Sequence, residues 1–208
     1  MTSGILALIG SRYIIWIALS IPAIPFVAEF IWPDRYYPEM MHRSGELSVQ
    51  LLVLTLAITP ISMILKNWKS VSGFGLWLLR NRRYFGLASF SYAAIHTLLY
   101  LRQIGFDWGL AWLEALDLPF GSGWIAMLAM IPLALTSNNW SVRKLGRKWK
   151  PLQRFSYLIA AATFLHWLLL DFFLEDVLFW IALLVVAKVV QIAPNFRVLA
   201  FQVNKSAQ

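Results

Sequence analysis

Two of the three histidines in this 208-residue chain stand inside long apolar runs. His96 lies within residues 84–103 and His166 within residues 152–171. Each run is long and apolar enough to cross a bilayer as a helix. An imidazole in hydrocarbon is costly, so the default reading of such a residue is functional and demands a named partner. We read the two rings as facing each other and gripping one haem iron from opposite sides. Imidazole is a common axial ligand, and in its neutral form it brings no charge into the membrane.

The elements that must position these rings follow from hydropathy. Six spanning segments are expected: residues 13–32, 44–65, 84–103, 121–137, 152–171 and 175–191. Pro22 and Pro25 fall inside the first, so a kink is expected there. Pro60 lies near the far end of the second and Pro132 inside the fourth. No internal repeat and no low-complexity stretch is visible. The fold class is therefore an all-α integral membrane bundle, one domain over residues 1–208. The first apolar run lacks a small-residue cleavage pattern after a short core and reads as a retained anchor.

The charges divide between alternate loops. Fifteen of the eighteen basic residues precede span one, lie between spans two and three, lie between spans four and five or at the mouth of span five, or stand at the end of span six and beyond. They include Lys66, Lys69, Arg80, Arg82, Arg83, Arg143, Lys144, Arg147, Lys148, Lys150, Arg154 and Lys188. The other loops hold only Arg35, Arg43 and Arg102, together with all ten acids. The positive-inside rule then places both termini in the cytoplasm and the acidic loops outside. With that topology both histidines sit roughly 8–10 Å below the outer surface, at 1.5 Å per residue. Equal depth on two parallel helices is what bis-imidazole ligation requires. A flat macrocycle also needs small residues nearby, and the histidine runs offer Gly86, Ala88, Ser89, Ala93, Ala94, Ala160, Ala161 and Ala162. Small residues equally serve plain helix packing. A membrane histidine can also bond across helices without a cofactor, or belong to a proton path. A non-haem metal is less well served, because no carboxylate lies at that depth.

Composition excludes several classes. The chain is 60% hydrophobic and 13% charged, whereas soluble domains carry about 25% charged residues. Eleven Trp and seven Tyr suit two membrane–water interfaces. The net charge of +8 reads as topology rather than as a nucleic-acid surface. With no cysteine, disulfides, thiolate chemistry, Fe–S clusters and covalent haem attachment are excluded.

Three further residues are candidates at the outer side. His42 opens span two and can contact haem propionates or a partner, or serve as an interfacial polar residue. Arg43 and Arg102 are the outer basic residues near the histidine spans and can neutralise propionates. Arg82, Arg83 and Arg147 are read first as topology signals, with an anionic or quinone-proximal site as the sharper alternative.

Several stretches carry a family resemblance. They are His42-Arg43-Ser44-Gly45, Thr55-Leu56-Ala57-Ile58-Thr59-Pro60, Arg82-Arg83-Tyr84-Phe85-Gly86-Leu87, Tyr92-Ala93-Ala94-Ile95-His96 and Tyr100. Leu135-Thr136-Ser137, Arg143-Lys144-Leu145-Gly146-Arg147-Lys148-Trp149, and Tyr157 leading to His166-Trp167 complete the set. The ordered set resembles the membrane haem-binding subunits of bacterial periplasmic methionine sulfoxide reductase systems, within the wider ferric-reductase-like transmembrane group. The resemblance covers roughly residues 42–167, and the ferric-reductase-like core is expected over about residues 42–192. It implies a haem b protein of the bacterial inner membrane that takes electrons from the quinone pool, with FMN also proposed as a cofactor. It implies delivery to a periplasmic molybdopterin enzyme that reduces oxidised methionine. His96 and His166 fall on the family's histidine positions. The family typically has another histidine where this chain has Gln153. An amide is a poor iron ligand, so one haem is expected and a second, inner haem is not.

The reading is thus a six-helix membrane cytochrome b that passes electrons from quinol to an acceptor outside. A direct ferric or metal-ion reductase is the nearest alternative. A small transporter or scaffold with structural or proton-relaying histidines is a third, from another class.

Overall fold

The computed structural model describes residues 12–33, 37–66, 68, 71–170 and 174–193. Asp34, Arg35, Lys69, Asp171, Arg197, Lys205 and both chain ends, used in the topology argument, lie outside the described residues. All regular structure among the described residues is helical. In chain order it comprises α1 (Arg12–Ser20), α2 (Ala23–Ile31), α3 (Tyr37–Leu65), α4 (Ser72–Gln103), α5 (Trp108–Ala115) and α6 (Leu118–Leu135). Then follow α7 (Asn139–Leu145), a 3₁₀ turn (Gly146–Lys148), α8 (Trp149–Arg154), α9 (Ser156–Leu170) and α10 (Leu174–Ile192).

By length and composition, α3 and α6 can cross a membrane, and α1 with α2 makes a third span if the pair counts as one. That pair is bent by 50°, at the break where Pro22 removes a backbone donor. α4, α9 and α10 stand where the third, fifth and sixth spans were expected but do not meet that test alone. α4 spends positions on Ser89, Ser91, Tyr92 and His96. α9 has only 15 residues. α10 carries Glu175, Asp176 and Lys188. Helix starts also differ from the hydropathy reading. α3 begins at Tyr37 rather than Ser44, and α4 at Ser72 rather than Tyr84. Hydropathy marks what lipid can cover, whereas a helix continues through charged residues until something breaks it. His42 therefore lies within α3 instead of opening it.

α3 is the centre of the bundle. One buried cluster joins Val49, Leu52, Val53 and Leu56 of α3 to Met130 of α6, Ile159, Phe164 and Trp167 of α9, and Val177 of α10. A second joins Tyr37 and Leu51 of α3 to Phe26 of α2 and to Ala88, Tyr92 and Leu99 of α4. The seam between α3 and α4 is lined with small residues, which let the backbones approach. Ser48 donates to the Ser89 carbonyl and Ser89 to the Ser48 carbonyl, each at 2.9 Å. A Cβ at Gly75 would come within 3.3 Å of the Ser62 backbone.

Side chains satisfy the carbonyls that helix breaks release. Tyr92 donates to the Leu19 carbonyl at 2.6 Å, beside the α1–α2 break. Within α4, where the helix is unbroken, Tyr37 adds a bond to the Leu99 carbonyl at 2.6 Å. Pro60 has no N–H to offer the Leu56 carbonyl four residues earlier. Lys188 of α10 supplies the missing donor, with Nζ at 2.9 Å from that oxygen. Arg82 of α4 donates to the neighbouring Thr55 carbonyl at 2.9 Å. Lys188 thus repairs the ladder of α3 at its proline, and Arg82 adds a bond to the carbonyl one residue earlier.

Lys188→Met should leave the Leu56 carbonyl buried without its donor, a loss of about 1–3 kcal/mol. Thermal unfolding in detergent should show a lowered midpoint, and an unchanged midpoint would contradict the repair role.

Candidate functional site

Both imidazoles are held by the same local device. His96 on α4 bonds through Nδ1 to the Met41 carbonyl of α3 at 2.8 Å. His166 on α9 bonds through Nδ1 to the Pro119 carbonyl of α6 at 2.7 Å. A carbonyl can only accept, so Nδ1 carries the proton and Nε2 keeps the lone pair. That tautomer is the one a metal ligand needs.

A glycine lies against each ring. A Cβ on Gly45 would meet His96 Nδ1 at 2.9 Å, and one on Gly123 would meet His166 Nδ1 at 2.7 Å. In each case the glycine stands four residues after the accepting carbonyl. These close approaches come from the facing helices, not from the small residues that flank the histidines on their own helices.

The two ring centres are 6.2 Å apart, with their planes crossed at 80°. A metal held about 2 Å from each of two opposed imidazole nitrogens places the ring centres roughly 6 Å apart. Both rings line a cavity of about 360 Å³, within the range of roughly 300–1,000 Å³ typical of cofactor and ligand sites. Its walls are mainly apolar, with Tyr100, Phe120, Trp124 and Trp167 among them. Polar lining comes from His42, Glu46, Thr97 and Thr163. The Thr163 hydroxyl is buried with no hydrogen-bond partner among the described residues. A buried orphan donor in a cavity wall calls for a group inside the cavity. Tyr100 is anchored at the wall by a 2.5 Å bond to Glu114 Oε2.

The other sequence candidates separate. His42 borders the cavity. Arg43 and Arg102 do not line it. Arg43 pairs with Glu39 at 2.9 Å on an exposed helix face. Arg102 donates to the carbonyls of Phe30 and Ile31 and lies 5.2 Å over the Phe30 ring. It thus holds the C-terminal end of α2, where a cation is favoured. Gln153 donates to the Leu133 carbonyl at 3.3 Å and to Thr136 Oγ1 at 3.2 Å, at the end of α6. Arg83 bonds Asn139 Oδ1 at 2.6 Å and lies 5.7 Å from the Trp149 ring. Arg147 is exposed on the 3₁₀ turn.

Sequence reading missed Gly45 and Gly123 as site residues. The available signal was a Ser-Gly pair near the start of two apolar helices, each leading toward a histidine helix.

Apolar helices packed around a pair of inward-held imidazoles define a helical membrane protein. Residues 44–164, more than half of the chain, match the family described as ferric reductase like transmembrane component. The chain belongs to that family. Curated relatives from Brucella ovis and Brucella canis are 37% identical over 130 residues, covering 62% of this chain and 55% of theirs. One from Brucella melitensis biotype 2 is 36% identical over the same shares. Each bears the name protein-methionine-sulfoxide reductase heme-binding subunit MsrQ. The chain thus spans about half the length of the curated relatives it matches. No solved structure matches.

Proposed function

We propose that this chain is a membrane b-type cytochrome whose His96 and His166 would hold the iron of one haem. The observation that carries the reading is the 6.2 Å separation of two imidazoles on one cavity. The residues present suit the group: two glycines clear space at the rings, two carbonyls fix the tautomer, and Thr163 offers an orphan hydroxyl. The haem, when bound, supplies reversible one-electron chemistry.

The chain's own residues do the rest. Met41 and Pro119 orient the rings and raise their basicity through the Nδ1–H bonds. Tyr100, Phe120, Trp124 and Trp167 exclude water from the cavity. His42, at the border of the cavity, would meet the carboxylates of such a cofactor. Gln153, engaged with the end of α6, does not serve as a ligand, which favours a single haem. Around this site we read six spans over a single haem-binding domain, both termini cytoplasmic, in the bacterial inner membrane. Electrons would come from the quinone pool, with FMN as a further candidate cofactor. They would go to a periplasmic oxidoreductase, with a molybdopterin methionine sulfoxide reductase as the favoured acceptor. The name carried by the relatives supports that partner.

Purified protein from cells well supplied with haem precursor should give a dithionite-reduced-minus-oxidised spectrum with sharp α and Soret bands. The pyridine haemochrome should count one haem per chain. His96→Ala and His166→Ala should each abolish the six-coordinate bands, while His42→Ala keeps them. A colourless protein, or bands retained in both ligand variants, would overturn the assignment. Reduced protein should be reoxidised by the periplasmic molybdopterin reductase in the presence of methionine sulfoxide. Reoxidation by ferric citrate alone would favour the metal-ion reductase reading.

A further inference from the structure

The two halves of the site share more than a glycine. In α3 the Met41 carbonyl accepts two bonds from side chains: His96 Nδ1 at 2.8 Å and Ser44 Oγ at 2.7 Å. In α6 the Pro119 carbonyl accepts the same two: His166 Nδ1 at 2.7 Å and Ser122 Oγ at 2.8 Å. In both helices the serine follows the carbonyl by three residues and the glycine follows it by four. Ser44 and Ser122 are buried, at 0% and 4% exposure. A helical serine often bonds back to a carbonyl one turn earlier. What stands out is that both serines choose the carbonyl that also holds a histidine.

We propose that Ser44-Gly45 and Ser122-Gly123 are paired positioning elements that set the seating and the basicity of the two imidazoles. The inference rests on the haem reading above and goes beyond it by giving two serines and two glycines a role. The glycine acts by shape. Any Cβ at that position would stand within 3.0 Å of a ring atom of its histidine, so the ring could not keep its bond to the carbonyl. The serine acts by competition. A carbonyl oxygen that already accepts an O–H is a weaker acceptor for the Nδ1–H beside it. The imidazole then has less imidazolate character and favours the oxidised iron less strongly. Each serine therefore holds the redox potential up.

The sign follows. Ser44→Ala and Ser122→Ala remove the competing donor and strengthen the Nδ1–H bond. Each should lower the midpoint potential while leaving the low-spin spectrum intact, and the double variant should shift further than either. The carbonyl keeps its histidine, so neither change strands a buried acceptor. Gly45→Ala and Gly123→Ala should convert part or all of the haem to a high-spin form, or lose it. In an ordinary helix, glycine to alanine stabilises by about 1 kcal/mol, so this loss would be specific to the ring contact. Gly86→Ala is the control, because its Cβ would meet only the Thr55 side chain, at 3.5 Å.

The test is an optical redox titration of the purified full-length protein, with the high-spin charge-transfer band followed in parallel. A lowered potential in both serine variants, with low-spin haem lost in the glycine variants but not in Gly86→Ala, supports the proposal. An unchanged or raised potential in the serine variants overturns it, and so does wild-type spin state in both glycine variants. If the glycine variants do not accumulate, the serine pair decides alone. A wild-type chain without haem, or haem retained in both histidine variants, would instead remove the functional reading itself. Loss of haem in the histidine variants with no response at the serines and glycines would remove only this inference.

Discussion

Each imidazole of the pair is half-buried and committed through Nδ1 to a carbonyl of a neighbouring helix, and the site depends on that pair of bonds. A buried ring nitrogen without a partner would carry a desolvation cost of about 1–3 kcal/mol. Satisfying Nδ1 with an acceptor decides the tautomer, and the tautomer decides which nitrogen remains for chemistry. The same bonds tie α4 to α3 and α9 to α6, so ligand orientation and helix packing are one problem. Moving either helix would cost both.

The same economy governs the rest of the bundle. Carbonyls released at helix breaks cannot turn to water inside an apolar bundle, so side chains come to them. Tyr92 reaches the break between α1 and α2, Lys188 reaches the carbonyl opposite Pro60, and Arg102 reaches the end of α2. Several residues that look functional by type are occupied in this way. Arg102 is the clearest case: a cation near the site that holds a helix end instead of facing the cavity. At the other end of the bundle, Arg82 and Lys188 both serve α3 near its proline.

Much of the frame was legible in the sequence because hydropathy and charge report directly on where a helix can lie. The equal depth of His96 and His166 followed from counting residues to the ends of two apolar runs, and the structure places the rings side by side. The proline pair at 22 and 25 announced the bend. Other features were hidden because they depend on which helix faces which. Small residues were sought on the histidine helices, yet Gly45 and Gly123 make the close contacts from across the interface. The repeated carbonyl, serine and glycine escaped notice as a repeat, because only two residue types recur and their histidines follow at separations of 55 and 47 residues from the carbonyl. The long starts of α3 and α4 were missed because charged residues extend a helix without extending its apolar part. Arg43 and Arg102 could not be sorted from sequence, since one is paired on its own helix and the other reaches a distant one.

Two crossed imidazoles on one cavity would clamp a single iron between them. Electron paramagnetic resonance of the oxidised protein reads this directly. Rings crossed at 80° leave two iron orbitals nearly equal in energy, which produces a low-spin signal of unusually large anisotropy. That signal is expected at one spin per chain. A purely high-spin signal, a low-spin signal of ordinary anisotropy from parallel rings, or no haem signal at all would contradict it.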